Sequence, residues 1–284
     1  MKIIVRRTAG IGDSLAATVV ADLLHEQGHE VVWQCHPEVI PIIKRHPTIV
    51  RVEPPKVHCD VNLDGCYENS PVGHITHFHD QFITSAAEQL ERIGVVIKLN
   101  RPPKAPKLLI SDNNQLALIS KLRWVGQQRV MICPRSNYLT RGISNDLWNQ
   151  VMDKLNECAY WLGPDPAPDG NCVDAKCRTI DHVADYISVA DLVVTVDTGP
   201  MHIASAYGVP MVVISQSHDV HLRLSPLSDF EVVKRRDLDC LNCQRHRCPI
   251  DPYNPPCGQI DPQELADVVN RKLAKLEPSN PITA

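Results

Sequence analysis

The sequence predicts an α/β protein made of two doubly wound, Rossmann-like domains, each a parallel sheet flanked by helices. Three observations carry this expectation. Apolar runs of strand length alternate with amphipathic stretches of helical period along most of the chain, which is the rhythm of βαβ units. The rhythm begins at the first residues and begins again after a polar stretch near residues 111–128. The length of 284 residues exceeds a typical single domain and falls short of three.

The elements follow in order. "KIIVRR" reads as the first strand and "SLAATVVADLLHEQG" as a helix, in which Leu15, Val19, Leu23 and Leu24 recur at helical spacing and Gly28 follows as a C-cap. "EVVWQC" is a second strand, "PEVIPIIKRHP" a helix and "IVRVEP" a third strand. From residue 58 to 106 the pattern is less regular; "QFITSAAEQLERIG" is its one good helix, and "PVGHITHFHDQF" before it reads as a loop. Leu116, Ile119 and Leu122 mark a helical connector. The second series runs strand "RVMICPR", helix "LWNQVMDKLNEC", strand "AYWLGP", helix "IDHVADYISVA", strand "DLVVTV", helix "PMHIASAYG" and strand "VPMVVIS". A last helix, "DPQELADVVNRKLAKLEP", starts from Asp261 as N-cap and precedes a polar tail.

Composition narrows the function classes. The chain is 43% hydrophobic and 22% charged with a net charge of −4, ordinary values without a long run of one sign. Whole-chain charge therefore leaves no nucleic-acid footprint, although Arg235, Arg236, Arg245 and Arg247 form a local basic group. The apolar run at the amino terminus is too short for a signal-peptide core, and no stretch reaches the roughly 20 apolar residues of a membrane-spanning helix. The 11 cysteines, several inside core strands, suit reduced thiols, so the expectation is a soluble, cytoplasmic protein.

Chemistry concentrates in turns after strands. "TAGIGDSL" places Gly10 and Gly12 between a strand and a helix, with Asp13 at the helix start. The dinucleotide fingerprint would need a third glycine where Leu15 stands and an acidic residue where Gln34 and Cys35 end the second strand, and no GxxxxGK[ST] loop is present. Asp13 has two readings, helix cap or general base for an incoming hydroxyl. "VDTGPMHIASAYG" holds the triplet Asp197, Thr198 and Gly199, which an aspartic protease would also use. The triplet occurs once, Pro200 and the spacing of Ile203 and Ala206 continue it as a helix, and its surroundings are α/β. It therefore reads as a strand end and helix N-terminus that receive a phosphate, with His202 as a further contact, or as a plain cap. "CPRSNYLTRGISNDLW" adds Arg135, Ser136, Asn137 and Arg141, groups that suit a diphosphate.

These segments together resemble glycosyltransferase family 9, the heptosyltransferases of the GT-B fold: "GIGDSL", "LTRGISNDLWNQVMDKL", "ADLVVTVDTGPMHIASAYGVPMVVI" and a cysteine-rich tail. The resemblance implies two Rossmann-like domains facing each other across a cleft. It divides the chain into an acceptor-side domain, 1–124, a nucleotide-sugar-binding domain, 125–260, and a helix crossing back with a polar tail, 261–284. It implies an inverting transfer of a sugar, heptose first, from an ADP-activated donor, with GDP- or UDP-sugars as rivals. Asp13 would be the general base beside Gly10 and Gly12, and Ser136, Asn137, Arg141, Asp197, Thr198, Gly199 and His202 would hold the donor. Arg141 stands where the family has a lysine, and the first domain is shorter than in many relatives. No catalytic divalent metal is expected. The acceptor would be a glycan or protein hydroxyl, and oligomers are compatible with the pattern.

Cys240, Cys243, Cys248 and Cys257 have two, four and eight residues between them, a spacing that lets four thiolates surround one tetrahedral ion, zinc first and iron second. The plain alternative is reduced thiols or a disulfide pair. Similar tails occur in family 9, and in some protein-modifying heptosyltransferases they hold iron. His74, His77 and His79 also have ligand-like spacing, but acceptor contact or solvation competes with metal binding there. From another class, the rival function is a noncatalytic nucleotide-sugar-binding or nucleic-acid-binding protein whose working part is the cysteine module.

Overall fold

The computed structural model describes residues 1–70, 75–97, 105–110 and 128–276. The predicted connector with Leu116, Ile119 and Leu122 lies outside these, as does His74. The chain forms two compact units. The first comprises Met1–Leu109, Ser205–Tyr207 and His221–Ser228, and the second Ile110–Ala204, Gly208–Val220 and Asp229–Ala284.

The first unit is built on four parallel strands, β1 (Lys2–Arg6), β2 (Glu30–Gln34), β3 (Ile49–Glu53) and β4 (Val61–Asn62), in the order β3-β2-β1-β4. Ile3 and Val5 on β1 and Val31, Val32 and Trp33 on β2 are buried, the apolar run that a parallel sheet covered by helices requires. Its helices are α1 (Ile11–Ala17), α2 (Val19–Glu26), α3 (Ile40–Ile43) and α4 (Phe78–Glu91). The first predicted helix is thus two, broken at Thr18, whose hydroxyl donates back to the Leu15 carbonyl at 2.7 Å. The stretch expected as a loop before residue 82 is partly helix, because the His77 ring accepts the His79 N–H at 3.2 Å and caps α4. Strand β4, only two residues long, has no period to read in the sequence.

The second unit holds six parallel strands: β5 (Val130–Cys133), β6 (Ala159–Trp161), β7 (Cys172–Asp174), β8 (Leu192–Val196), β9 (Met211–Ile214) and β10 (Phe230–Val233). Their order is β10-β9-β8-β5-β6-β7, the doubly wound arrangement in which consecutive strands run outward both ways from a central pair. Helices α5 (Asn145–Met152), α6 (Ile180–Ser188), the first six residues of α7 (Gly199–Tyr207) and α8 (Pro262–Leu273) complete it. Three start on side-chain caps: Ser144 accepts from Leu147 N–H, Thr179 from His182 N–H and Asp261 from Gln263 N–H. Trp148 and Trp161 meet edge to face at 5.6 Å in the core. Helix α8 buries Leu265, Ala266, Val269 and Leu273 in that same core against α5 and β10. Helix α8 thus lies within the second unit.

Open parallel sheets bind ligands beyond the carboxyl ends of their strands, where the strand order reverses. Those points are β1/β4 in the first unit and β5/β8 in the second. No helix among the described residues is long and apolar enough to cross a membrane.

Candidate functional site

At the first switch point, the chain leaves β1 through Gly10 and enters α1. Gly10 is the N-cap, so Asp13 lies inside the first turn and does not cap the helix. Its Oδ1 instead accepts a hydrogen bond of 2.8 Å from the Tyr67 hydroxyl, which comes from the segment after β4. Burial, with the charges of Asp13 and Glu68 nearby, pushes the Tyr67 hydroxyl far above its usual range, so it remains a donor. Arg7, 1% exposed, lies 4.0 Å from the same Asp13 oxygen and makes a two-armed pair with Glu68 at 2.7 and 3.3 Å. Burial opposes the Arg7 charge, but the bond and charge of Glu68 outweigh it and hold the guanidinium above its ordinary range. One carboxylate oxygen of Asp13 is thus engaged, while Oδ2 stands near Gly10, 3.8 Å from where a Cβ there would sit. The aromatic side of this group is Tyr67 against Phe78, with the Arg223 guanidinium 3.7 Å from the Phe78 ring centre.

At the second switch point, β8 delivers Asp197 to the turn that begins α7. Asp197 is 4% exposed, and its Oδ2 faces Arg141 Nη1 at 3.4 Å and His218 Nδ1 at 3.7 Å. Arg141 closes the 3-10 turn Leu139–Arg141 after β5, and its Nη2 lies 3.2 Å from His218 Nε2. A guanidinium only donates, so His218 Nε2 accepts and Nδ1 carries the ring proton toward Asp197 and the Ser217 hydroxyl, 2.9 Å away. Among the described residues, three buried polar atoms of this group find no hydrogen-bond partner: Asp197 Oδ2, Arg141 Nε and Gln216 Oε1. Asp197 Oδ2 still has the Arg141 charge beside it; of the three, only Arg141 Nε is a donor that an anion could complete, while the two oxygens could take only a donor group or water.

The structure brings Arg141 and Asp197 together. Thr198 and Gly199 form the turn into α7, with the Thr198 carbonyl accepting from Met201 N–H at 3.0 Å, and His202 is buried within that helix. Ser136 turns back on its own loop, accepting from Tyr138 N–H at 3.4 Å, and Asn137 is exposed beside it. Arg135 pairs with Asp165 at 2.7 Å. His218, Tyr67 and Glu68 carry no local motif in the sequence; only their partners reveal them.

Cys240 and Cys243 are exposed, Cys248 and Cys257 buried, and all four are free thiols. Burial, followed by the charges of Cys243, Cys248 and Cys240, pushes the Cys257 thiol up to about 11. Among the described residues no group of three or more His, Cys, Asp or Glu side chains is arranged to hold a metal ion. Of the described histidines of the other candidate cluster, His77 spends both nitrogens structurally. Its Nδ1 caps α4, and its Nε2 donates to the Leu224 carbonyl at 2.7 Å.

The sequence model of glycosyltransferase family 9 (heptosyltransferase) matches residues 84–254. No curated protein sequence matches the chain. Among solved structures, the fold is similar to that of Escherichia coli ADP-heptose lipopolysaccharide heptosyltransferase II, with a TM-score of 0.68, 14% identity, and coverage of 97% of this chain and 99% of that one. E. coli heptosyltransferase WaaC, solved with ADP-2-deoxy-2-fluoro heptose, gives a TM-score of 0.60 at 13% identity over 97% and 99% of the two chains. The iron-containing dodecameric glycosyltransferase TibC from enterotoxigenic E. coli gives 0.67 at 17% identity over 96% and 76%. The parallel-sheet fold is thus that of GT-B glycosyltransferases.

Proposed function

The chain belongs to glycosyltransferase family 9, and from that premise we propose that it moves heptose from ADP-heptose to an acceptor hydroxyl with inversion at the anomeric carbon. The observation that carries this reading is the Arg141, Asp197 and His218 group at the β5/β8 switch point, where the half-buried Arg141 keeps a buried donor, Nε, without a hydrogen-bond partner among the described residues. In this reading Arg141, the N–H groups at the start of α7, Ser136, Asn137 and His202 receive the diphosphate. Asp197, a carboxylate that repels phosphate, holds Arg141 and His218 in place. The transfer balances as follows. Asp13 takes the proton of the acceptor hydroxyl, whose oxygen bonds to the anomeric carbon as the bond to the phosphate oxygen breaks. ADP leaves carrying that electron pair, and the cationic and N–H groups stabilise its growing charge. Tyr67 supports the role of Asp13 by occupying one oxygen and leaving the other for the proton. The acceptor is a glycan or protein hydroxyl, and the cytoplasm suits a chain whose cysteines are all free.

Two measurements test this. Titration with ADP, UDP and GDP should show ADP binding tightest; a tighter UDP or GDP complex moves the donor assignment. Asp13→Asn should lower ADP release from ADP-heptose by about 10² to 10⁴, and an unchanged rate removes Asp13 as base.

We further propose that Cys240, Cys243, Cys248 and Cys257 hold a structural ion, zinc before iron. Support comes from their spacing and from Asn242 and Gln244, non-glycine residues at φ of 60° and 56° that turn the chain on both sides of Cys243. Four thiols within one loop are the donor type that zinc or iron takes as thiolates. Such an ion supplies a cross-link and no catalytic step. Elemental analysis of wild type against Cys243→Ser checks it: full metal retention in the variant sinks the site.

A further inference from the structure

We infer that the cysteine loop, residues 240–258, is a positioning element of the donor site: it fixes Arg141 and His218 through backbone and ring contacts and does not itself receive the donor. This rests on the donor reading above and extends it to residues outside the phosphate-binding motif.

On the Arg141 side, Thr140, 2% exposed and adjacent in the chain, donates its hydroxyl to the Arg245 carbonyl at 2.5 Å. The Tyr138 ring carries the Arg141 guanidinium 4.3 Å from its centre and the His246 ring at 4.0 Å. On the His218 side, Gln244 N–H donates to the Ser217 carbonyl at 2.7 Å and Asn242 N–H to the Gln216 carbonyl at 3.3 Å. The two sides are tied to one another, because Gln216 Nε2 donates to the Gly142 carbonyl at 2.9 Å. The far end of the loop presses on the same tie: a Cβ at Gly258 would lie 2.9 Å from the Gly142 carbonyl and 3.0 Å from Gln216 Nε2.

These contacts have a common sense. Asn242 and Gln244 adopt a left-handed backbone that side-chain-bearing residues avoid, and both direct their N–H groups into the segment that carries His218. Arginine loses many rotamers when it grips an anion; one already held by Tyr138, Thr140 and Asp197 has lost them beforehand and binds more tightly for it. The loop therefore acts on donor affinity through the placement of Arg141 and His218, so its signature is a change in binding rather than in the proton transfer at Asp13.

The test uses the full chain and ADP as probe. Thr140→Val removes the hydroxyl at nearly constant shape, Thr140→Ser keeps it, and His246→Ala removes the exposed outer ring of the stack. Calorimetric titration should give a Kd for ADP raised about tenfold in Thr140→Val and His246→Ala, and within about twofold of wild type in Thr140→Ser. With ADP-heptose, KM should rise in parallel while kcat changes by less than about threefold, a split that general loosening of the fold would not give. Wild-type Kd in both disruptive variants overturns the role of the loop and leaves the donor reading standing. Failure of the wild-type chain to bind ADP, UDP or GDP overturns both.

Discussion

Asp13, in the first turn after β1, and Asp197, in the turn after β8, are carboxylates with different neighbours, and the proposed reading gives them opposite work. Asp13 has one oxygen bonded to a hydroxyl and the other near an open glycine turn, the condition of a group that can take a proton. Asp197 is buried between a guanidinium and the N–H of a neutral imidazole, the condition of a group that orients both. A third residue shows burial outweighing a nearby carboxylate. His46 is 3% exposed, and burial lowers its pKa to about 4 even with Asp22 at 3.8 Å. Because the folded value lies below the unfolded value near 6.5, its contribution to stability is present above about pH 6.5 and is lost as pH falls toward 4. The loss is at most about 3 kcal/mol. Thermal melts from pH 7 to 4.5 should therefore show a steeper acid decline for wild type than for His46→Gln; parallel curves would reject this assignment.

At the scale of elements, local chemistry and partner contacts divide the labour. Helix starts were legible where a side chain makes the cap: Asp261 stands at the start of α8 as its sequence position suggests, accepting from Gln263 N–H at 2.9 Å. Asp261→Ala should lower stability by about 1 kcal/mol, read as a small drop in melting temperature with ADP affinity unaltered. Elements were illegible where a contact outside the local pattern decides them. The bend at Thr18 comes from a hydroxyl returning to the preceding turn, and α4 starts early because an imidazole replaces the usual oxygen cap. Strand β4 exists because β1 offers it a parallel partner over Val61 and Asn62; alone it is two residues in a polar stretch.

For the whole molecule, the two sheets share one organising fact: each has its candidate residues where the strand order reverses. This placement leads to a stability prediction. A ligand that binds only the folded state, at about 100 times its Kd, stabilises by about 2.7 kcal/mol. ADP should thus raise the melting temperature by several degrees, and Arg141→Gln should reduce that rise at the same ADP concentration. An equal rise in both proteins would remove Arg141 from the donor site.

By itself the sequence determined what is local. Its alternating periods called for parallel α/β units, its glycine turn placed Asp13 at a helix start, and the segments around Asp197 and Arg141 carried the resemblance to the family. Only the tertiary structure decided the company these residues keep. Tyr67 reaches Asp13, and His218 completes the Arg141 and Asp197 group, while the Arg245 carbonyl and the His246 ring brace the turn before Arg141. The reason is physical. Periodicity records which face of an element is apolar, whereas a hydrogen bond between residues far apart in the chain exists only once strand order and register bring their loops to one end of a sheet.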